Sequence, residues 1–206
     1  MTTLRIWKAA VAAVGVMCMT GAHASTADPK PEELTHAVEA FLADHGDLCL
    51  AMYSWPRDVT PEDRQAGSHE AVQLPVLERL GVVRSEDLSG TKRYFLTAKG
   101  RESFLQKRRT TLDVHGQVEQ HDGDFCVAHL TLDKVIKRSP TEQIHGRVET
   151  VASYTYKVRS AAWMADPQAR KVFPMVDRII RGEHNALMTA TLQVQNGKWV
   201  PVLPGQ

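Results

Sequence analysis

The first 24 residues limit what this chain can fold into, because they have the composition of a secretory signal. A short basic segment carries Arg5 and Lys8, and an apolar run follows over residues 9–20. Ala22 and Ala24 then supply the small side chains that a signal peptidase site requires. The run is too short to span a bilayer, which takes roughly 20 residues. We therefore predict cleavage after Ala24 and a mature protein that folds in the periplasm or outside the cell.

Size and charge set a second limit. Removing 24 of the 206 residues leaves 182, enough for one domain or two small ones with a buried core. The whole chain has 25 basic and 24 acidic residues, and the signal contains Arg5 and Lys8 but no acid, so the mature net charge is −1. A nearly neutral chain has no overall field to attract nucleic acid or anionic lipid. We expect no nucleic-acid partner and no stable insertion into a membrane.

The cysteines fit an oxidising compartment. Cys18 lies in the signal, where a lipoprotein site is an alternative, although the preceding Val16-Met17 lacks the small residue expected there. Cys49 and Cys126 remain as an isolated pair, which predicts one disulfide. Closing a loop of about 77 residues would stabilise the fold by roughly 4 kcal/mol in the chain-entropy treatment. Two buried free thiols are the alternative.

The N-terminal half of the mature chain has helical periodicity. Apolar residues recur at helical spacing after Pro31, and Gly46 can end this first helix. A second helix begins after Ser68 and ends before Gly81, and the Pro75 within it predicts a break. A strand, a polar tip and a second strand follow.

Residues 74–104 resemble the last half of a winged-helix domain. The segment has a helix that ends in L-x-x-L-G, a strand, a polar wing, a strand and then L-T-x-K-G-R. The matching residues are Leu77, Leu80, Gly81, Val82, Val83, Tyr94, Leu96, Thr97, Lys99, Gly100 and Arg101. In DNA-binding relatives the helix before the wing reads the major groove. Here that helix carries Glu70, Gln73, Glu78 and Arg79, a poor surface for phosphate. The resemblance implies a scaffold or protein-binding module.

From Thr111 onward the pattern alternates, as in strands. The clearest strand, 147–159, directs Tyr154, Tyr156 and their apolar neighbours to one side. Ser153 and Thr155 point to the other side with four charged residues that form a predicted partner-binding face: Arg147, Glu149, Lys157 and Arg159. A helix over 166–181 has the apolar spacing to cover the sheet, and Asn196-Gly197 predicts a hairpin turn.

These patterns predict an α+β fold. The signal peptide occupies 1–24, a helical, winged-helix-like region occupies 25–110, and an antiparallel sheet covered by one helix occupies 111–206. The predicted disulfide Cys49–Cys126 would tie the last two regions together.

Four residues are candidate metal ligands: His115, His121, Asp124 and His129 lie close in sequence and carry nitrogen and oxygen donors. Turn and surface residues explain the same pattern. The chain has no H-E-x-x-H, no G-x-S-x-G and no glycine-rich phosphate loop. We therefore predict no catalytic residues, no metal and no cofactor.

The function expected from the sequence is non-catalytic. We predict an exported protein that binds another envelope or extracellular protein, or that assists an envelope process. One alternative is a carrier of a small apolar ligand, held in a cavity of the C-terminal sheet beneath Tyr154 and Tyr156. A metal-dependent hydrolase is the less favoured alternative.

Overall fold

The computed structural model describes residues 28–112 and 115–202. The predicted signal peptide, with Cys18 in it, lies outside the described residues. The described chain mixes helices with antiparallel strands, which confirms the α+β class. None of its helices is both long and apolar enough to cross a membrane.

Helices and strands alternate in short segments before a strand-rich second half. The helices are α1 (Pro31–His45), α2 (Pro61–Ala66), α3 (His69–Arg79), α4 (Ala98–Arg101), α5 (Pro167–Val172) and α6 (Pro174–Arg181), with a 3-10 turn at Ala162–Ala165. The strands are β1 (Asp47–Cys49), β2 (Arg57–Val59), β3 (Val83–Leu88), β4 (Thr91–Leu96), β5 (Phe104–Leu105), β6 (Arg109–Leu112), β7 (Val118–His121), β8 (Asp124–Arg138), β9 (Glu142–Ile144), β10 (Arg147–Ser160), β11 (Met188–Gln195) and β12 (Lys198–Pro201).

The larger sheet is antiparallel and is built around two long strands, β8 and β10. Its main path runs β1-β8-β10-β11-β12, while β5 pairs with β8 and β9 pairs with β10. β10 matches the strand predicted at 147–159 to within one residue. The hairpin predicted at Asn196-Gly197 is confirmed, since both residues have positive φ, 51° and 75°, and join β11 to β12.

Helix α1 covers one face of this sheet, which we call the inner face. Its buried side chains pack against those of β8, β10 and β11; the set is Leu34, Ala37, Val38, Leu42, Leu130, Ala152, Tyr154, Tyr156, Ala190 and Leu192. The helix ends at Gly46, whose carbonyl accepts a hydrogen bond from the Leu130 N–H at 2.8 Å. The helix that precedes the sheet in sequence is therefore also the one that closes its core.

The prediction that a helix over 166–181 covers the sheet is wrong. That segment is two helices, because Pro174 has no N–H to continue the hydrogen-bond ladder of α5. Buried residues of α5 and α6 share a second core with Leu74 and Leu77 of α3. α6 reaches the first core only at its edge, where the Tyr156 hydroxyl donates to the Ile179 carbonyl at 2.9 Å.

The second core also holds a small sheet with the order β2-β4-β3. Helix α3 begins at Ser68, whose hydroxyl accepts from the Ala71 N–H at 3.2 Å. Pro75 lies inside α3 without the predicted break. Leu74 and Leu77 on either side of it are fully buried, and their packing offsets the single backbone hydrogen bond that the proline removes.

The predicted disulfide is confirmed. Cys49 of β1 and Cys126 of β8 are bonded and lie opposite each other in the antiparallel pair. The bond joins the short edge strand that follows α1 to the long central strand. It therefore fastens the N-terminal part of the chain to the large sheet.

Candidate binding surface

The face of the large sheet opposite α1, which we call the outer face, carries the predicted partner-binding residues. Side chains alternate along β10, so burial of Tyr154 and Tyr156 beneath α1 directs the odd-numbered residues outward. Arg147, Lys157 and Arg159 are exposed there, and Glu149 is partly buried. The strand thus presents four charged groups on one side and a packed core on the other.

The middle of the outer face is less exposed to solvent than predicted. Ser153 and Thr155 are only 8% and 3% exposed. The Thr155 hydroxyl donates to Asp133 Oδ2 at 2.9 Å, and His184 Nδ1 lies 3.2 Å from the same oxygen. The prediction of a solvated face is wrong at these two positions, and at Thr155 the reason is its contact with Asp133 beside His184.

Asp133 is the acidic centre of this cluster. The hydrogen bond from Thr155 and then that from His184 lower the pKa of its carboxyl below the usual range. The group is therefore a carboxylate at neutral pH. Its contacts hold the side chains of Thr155 and His184 in the middle of the face.

Two further cations on β8 lie on the outer face, and sequence reasoning missed them. Lys134 pairs with Thr155 and Lys137 pairs with Ser153, and paired residues of antiparallel strands share a face. Both lysines are exposed. By the same pairing, Asp47 of β1, Glu142 of β9 and Lys198 of β12 also lie on this face. Among the described residues the face therefore has six cations, Lys134, Lys137, Arg147, Lys157, Arg159 and Lys198, against four acids, Asp47, Asp133, Glu142 and Glu149. Its charge is positive although the mature chain is nearly neutral.

The two tyrosines named for a ligand cavity are core residues. Tyr154 is 2% exposed and Tyr156 is 1% exposed, and both pack in the core that α1 closes. Burial raises the pKa of each phenol. Their packing supports the structural role rather than a carrier site.

The four candidate metal ligands are spread over separate contacts. His129 Nδ1 lies 2.7 Å from Asp47 Oδ1, and His121 stacks on Tyr53 with 3.7 Å between ring centroids. His115 lies in the turn before β7. Asp124 accepts a hydrogen bond from the Met52 N–H at 3.0 Å.

Within the described residues, the structure does not bring those four side chains together. The group of three potential ligands that it does bring together is Cys49, Asp124 and Cys126, whose two sulfurs are bonded to each other.

In comparisons with known proteins, no family model, curated protein or solved structure matches this chain. The function must therefore be argued from the surface itself.

Proposed function

We propose that this chain is an exported, non-catalytic protein that binds an acidic surface of another envelope or extracellular protein through its outer sheet face. The observation that carries the proposal is the contrast across β10. One side is buried beneath α1, and the sheet face on the other side has six cations against four acids among the described residues. Proteins use such fields to select and orient partners of opposite charge.

Export is part of the proposal. The charge, apolar run and alanines of the first 24 residues support a cleaved signal. The Cys49–Cys126 disulfide supports an oxidising compartment, since such bonds are rare in reducing cytosol. Both features support the proposed periplasmic or secreted location.

We also propose that the unit from β2 to β4 is a winged-helix-like scaffold. Its strand order β2-β4-β3, with α2 and α3 between β2 and β3, supports this. The outer side of α3 is already engaged, because Arg79 binds Asp166 at 2.8 Å and Gln73 Nε2 donates to the Val172 carbonyl at 3.4 Å. These contacts favour a packing role for α3 over insertion into a DNA groove.

Charge reversal on the outer face tests the proposed function. The double variant Lys157→Glu/Arg159→Glu should lose capture of an envelope protein that the wild type retains at low salt. The matched control Lys171→Glu/Arg178→Glu makes the same change in charge at exposed positions of α5 and α6. It should retain capture, and both variants should unfold at the wild-type temperature.

Equal capture by the wild type and the outer-face variant, with both folded, would show that the outer face is not the docking surface. Loss of capture in both variants would point to net charge alone.

A further inference from the structure

A cleft of about 640 Å³ opens between the small sheet, β5 and the loop before β2. Four aromatic rings and two guanidinium groups line it: Tyr53, Trp55, Phe95, Phe104, Arg84 and Arg101. Its volume lies in the usual range for small-ligand sites. It shares no residue with the outer sheet face, so a ligand here would be independent of the protein partner proposed above.

Two of the rings are braced from behind by other rings. Tyr53 stacks on His121 at 3.7 Å, nearly parallel, and Trp55 packs at a tilt against Phe125 with 5.8 Å between centroids. Both Tyr53 and Trp55 remain partly exposed to the cleft. They are therefore held in place before any ligand arrives, which lowers the entropy cost of binding.

The other two rings are fixed by different contacts. Phe104 packs against Gly123 so closely that a Cβ there would collide with the ring. The guanidinium of Arg84 lies over Phe95, 4.4 Å from its centroid. Arg84 covers that face of Phe95, so the rings left for stacking are Tyr53, Trp55 and Phe104.

The charge in the cleft is cationic. Arg84 and Arg101 are exposed, and none of the described residues that line the cleft is an aspartate or glutamate. Arg101 is oriented by a hydrogen bond to the Leu96 carbonyl at 3.2 Å, and Arg84 forms an ion pair with Glu86. A planar guanidinium fork binds a carboxylate through two parallel hydrogen bonds.

We propose that this cleft binds a carboxylate-bearing sugar, such as a uronic-acid unit of an acidic polysaccharide. Braced aromatic rings offer flat apolar surfaces on which the C–H face of a pyranose can stack. Arg101 binds the carboxylate, and Arg84 assists through the N–H groups other than the Nη1 that binds Glu86. Ser54 and Gln106 at the margin supply hydrogen-bonding groups for the sugar hydroxyls. Several separate rings can each stack on one unit of a sugar chain. A peptide anchor residue usually binds in one deep pocket instead.

Titration with tetragalacturonic acid tests this site, with its fully methyl-esterified form as the matched neutral ligand. The mature protein should bind the acid, seen as a change in tryptophan fluorescence that Trp55→Phe abolishes. The ester should bind at least tenfold more weakly. Arg84→Gln and Arg101→Gln should each weaken binding of the acid by about tenfold, as expected for loss of one charge-assisted pair.

The control Arg178→Gln removes an exposed arginine from α6, outside both proposed binding surfaces, and should leave sugar binding unchanged. Each variant must unfold at the wild-type temperature, and Arg101→Gln alone decides the outcome if Arg84→Gln does not fold. Equal affinity for acid and ester, no binding at millimolar ligand, or wild-type binding by Arg101→Gln would overturn the proposal. Tighter binding of a phenylalanine-containing acidic peptide than of the sugar would assign the cleft to peptides instead.

Discussion

The two faces of β10 differ in side-chain chemistry and charge although they belong to one strand. The inner face consists of large apolar side chains packed beneath α1, with Tyr154 and Tyr156 almost fully buried. The outer face has exposed cations along β8 and β10 and a hydrogen-bonded cluster around Asp133. The inner residues therefore hold the fold, and the exposed charged residues of the outer face are the ones proposed to bind a partner.

Among the variants considered, loss of the disulfide should lower the free energy of unfolding the most. The bond fastens β1, the edge strand that follows α1, to β8. The double variant Cys49→Ala/Cys126→Ala should lower the free energy of unfolding by about 4 kcal/mol in the chain-entropy treatment. Urea denaturation measures the change. Reduced wild-type protein should show the same loss, and a double variant as stable as the oxidised wild type would contradict this role.

The inner face is tested next by Tyr154→Ala. Removing this buried ring should cost about 3 kcal/mol or more, as large truncations in cores do. Lys157→Ala, three positions further along the same strand, is the control and should be nearly neutral. A mild effect of Tyr154→Ala accompanied by loss of apolar-dye uptake would instead favour the carrier alternative.

A smaller change tests the edge of the inner face. Tyr156→Phe keeps the ring but removes the hydrogen bond to the Ile179 carbonyl. The variant should lose about 1 kcal/mol, the net value of a typical hydrogen bond. Thermal unfolding at neutral pH measures it, and an unchanged melting temperature would mean that α6 is not held to the sheet by this contact.

The contacts of Asp133 on the outer face predict that the stability of the fold depends on pH. Because the folded-state pKa of Asp133 is lowered, its contribution to stability is present above the unfolded value of about 3.9 and is lost as pH falls through the folded value. Asp133→Asn should therefore be less stable than the wild type at neutral pH. The two melting temperatures should converge in acid, and a difference that persists at the lowest pH would rule out the carboxylate as the cause.

Much of the fold could be predicted because local signals were strong. The alternation at 147–159 identified β10 and its faces, Asn196-Gly197 identified the β11–β12 hairpin, and the lone cysteine pair identified the disulfide. Each of these depends on a few neighbouring residues or on simple counting. Local signals do not decide which helix covers the sheet. Both α1 and the 166–181 segment are amphipathic, and only tertiary packing selects between them.

The outer face shows a second limit of sequence reasoning. Lys134 and Lys137 are three positions apart, so strict alternation would place them on opposite sides of β8. The register shifts opposite Ser153/Tyr154 and Thr155/Tyr156 insert extra residues into β8 and turn both lysines outward. No local pattern in the sequence of β8 predicts those register shifts. The positive charge of the face therefore becomes visible only in the folded sheet.

Site-specific photo-crosslinking tests the central claim most directly. A photoreactive amino acid placed at position 157, on the outer face, should crosslink one discrete acidic envelope protein in intact cells. The same group at position 171, on α5, should not capture it. High salt during irradiation of an envelope extract should reduce the product at position 157, because the attraction is electrostatic. Crosslinking of the same partner from position 171 but not from position 157 would contradict the assignment of the outer face as the binding surface.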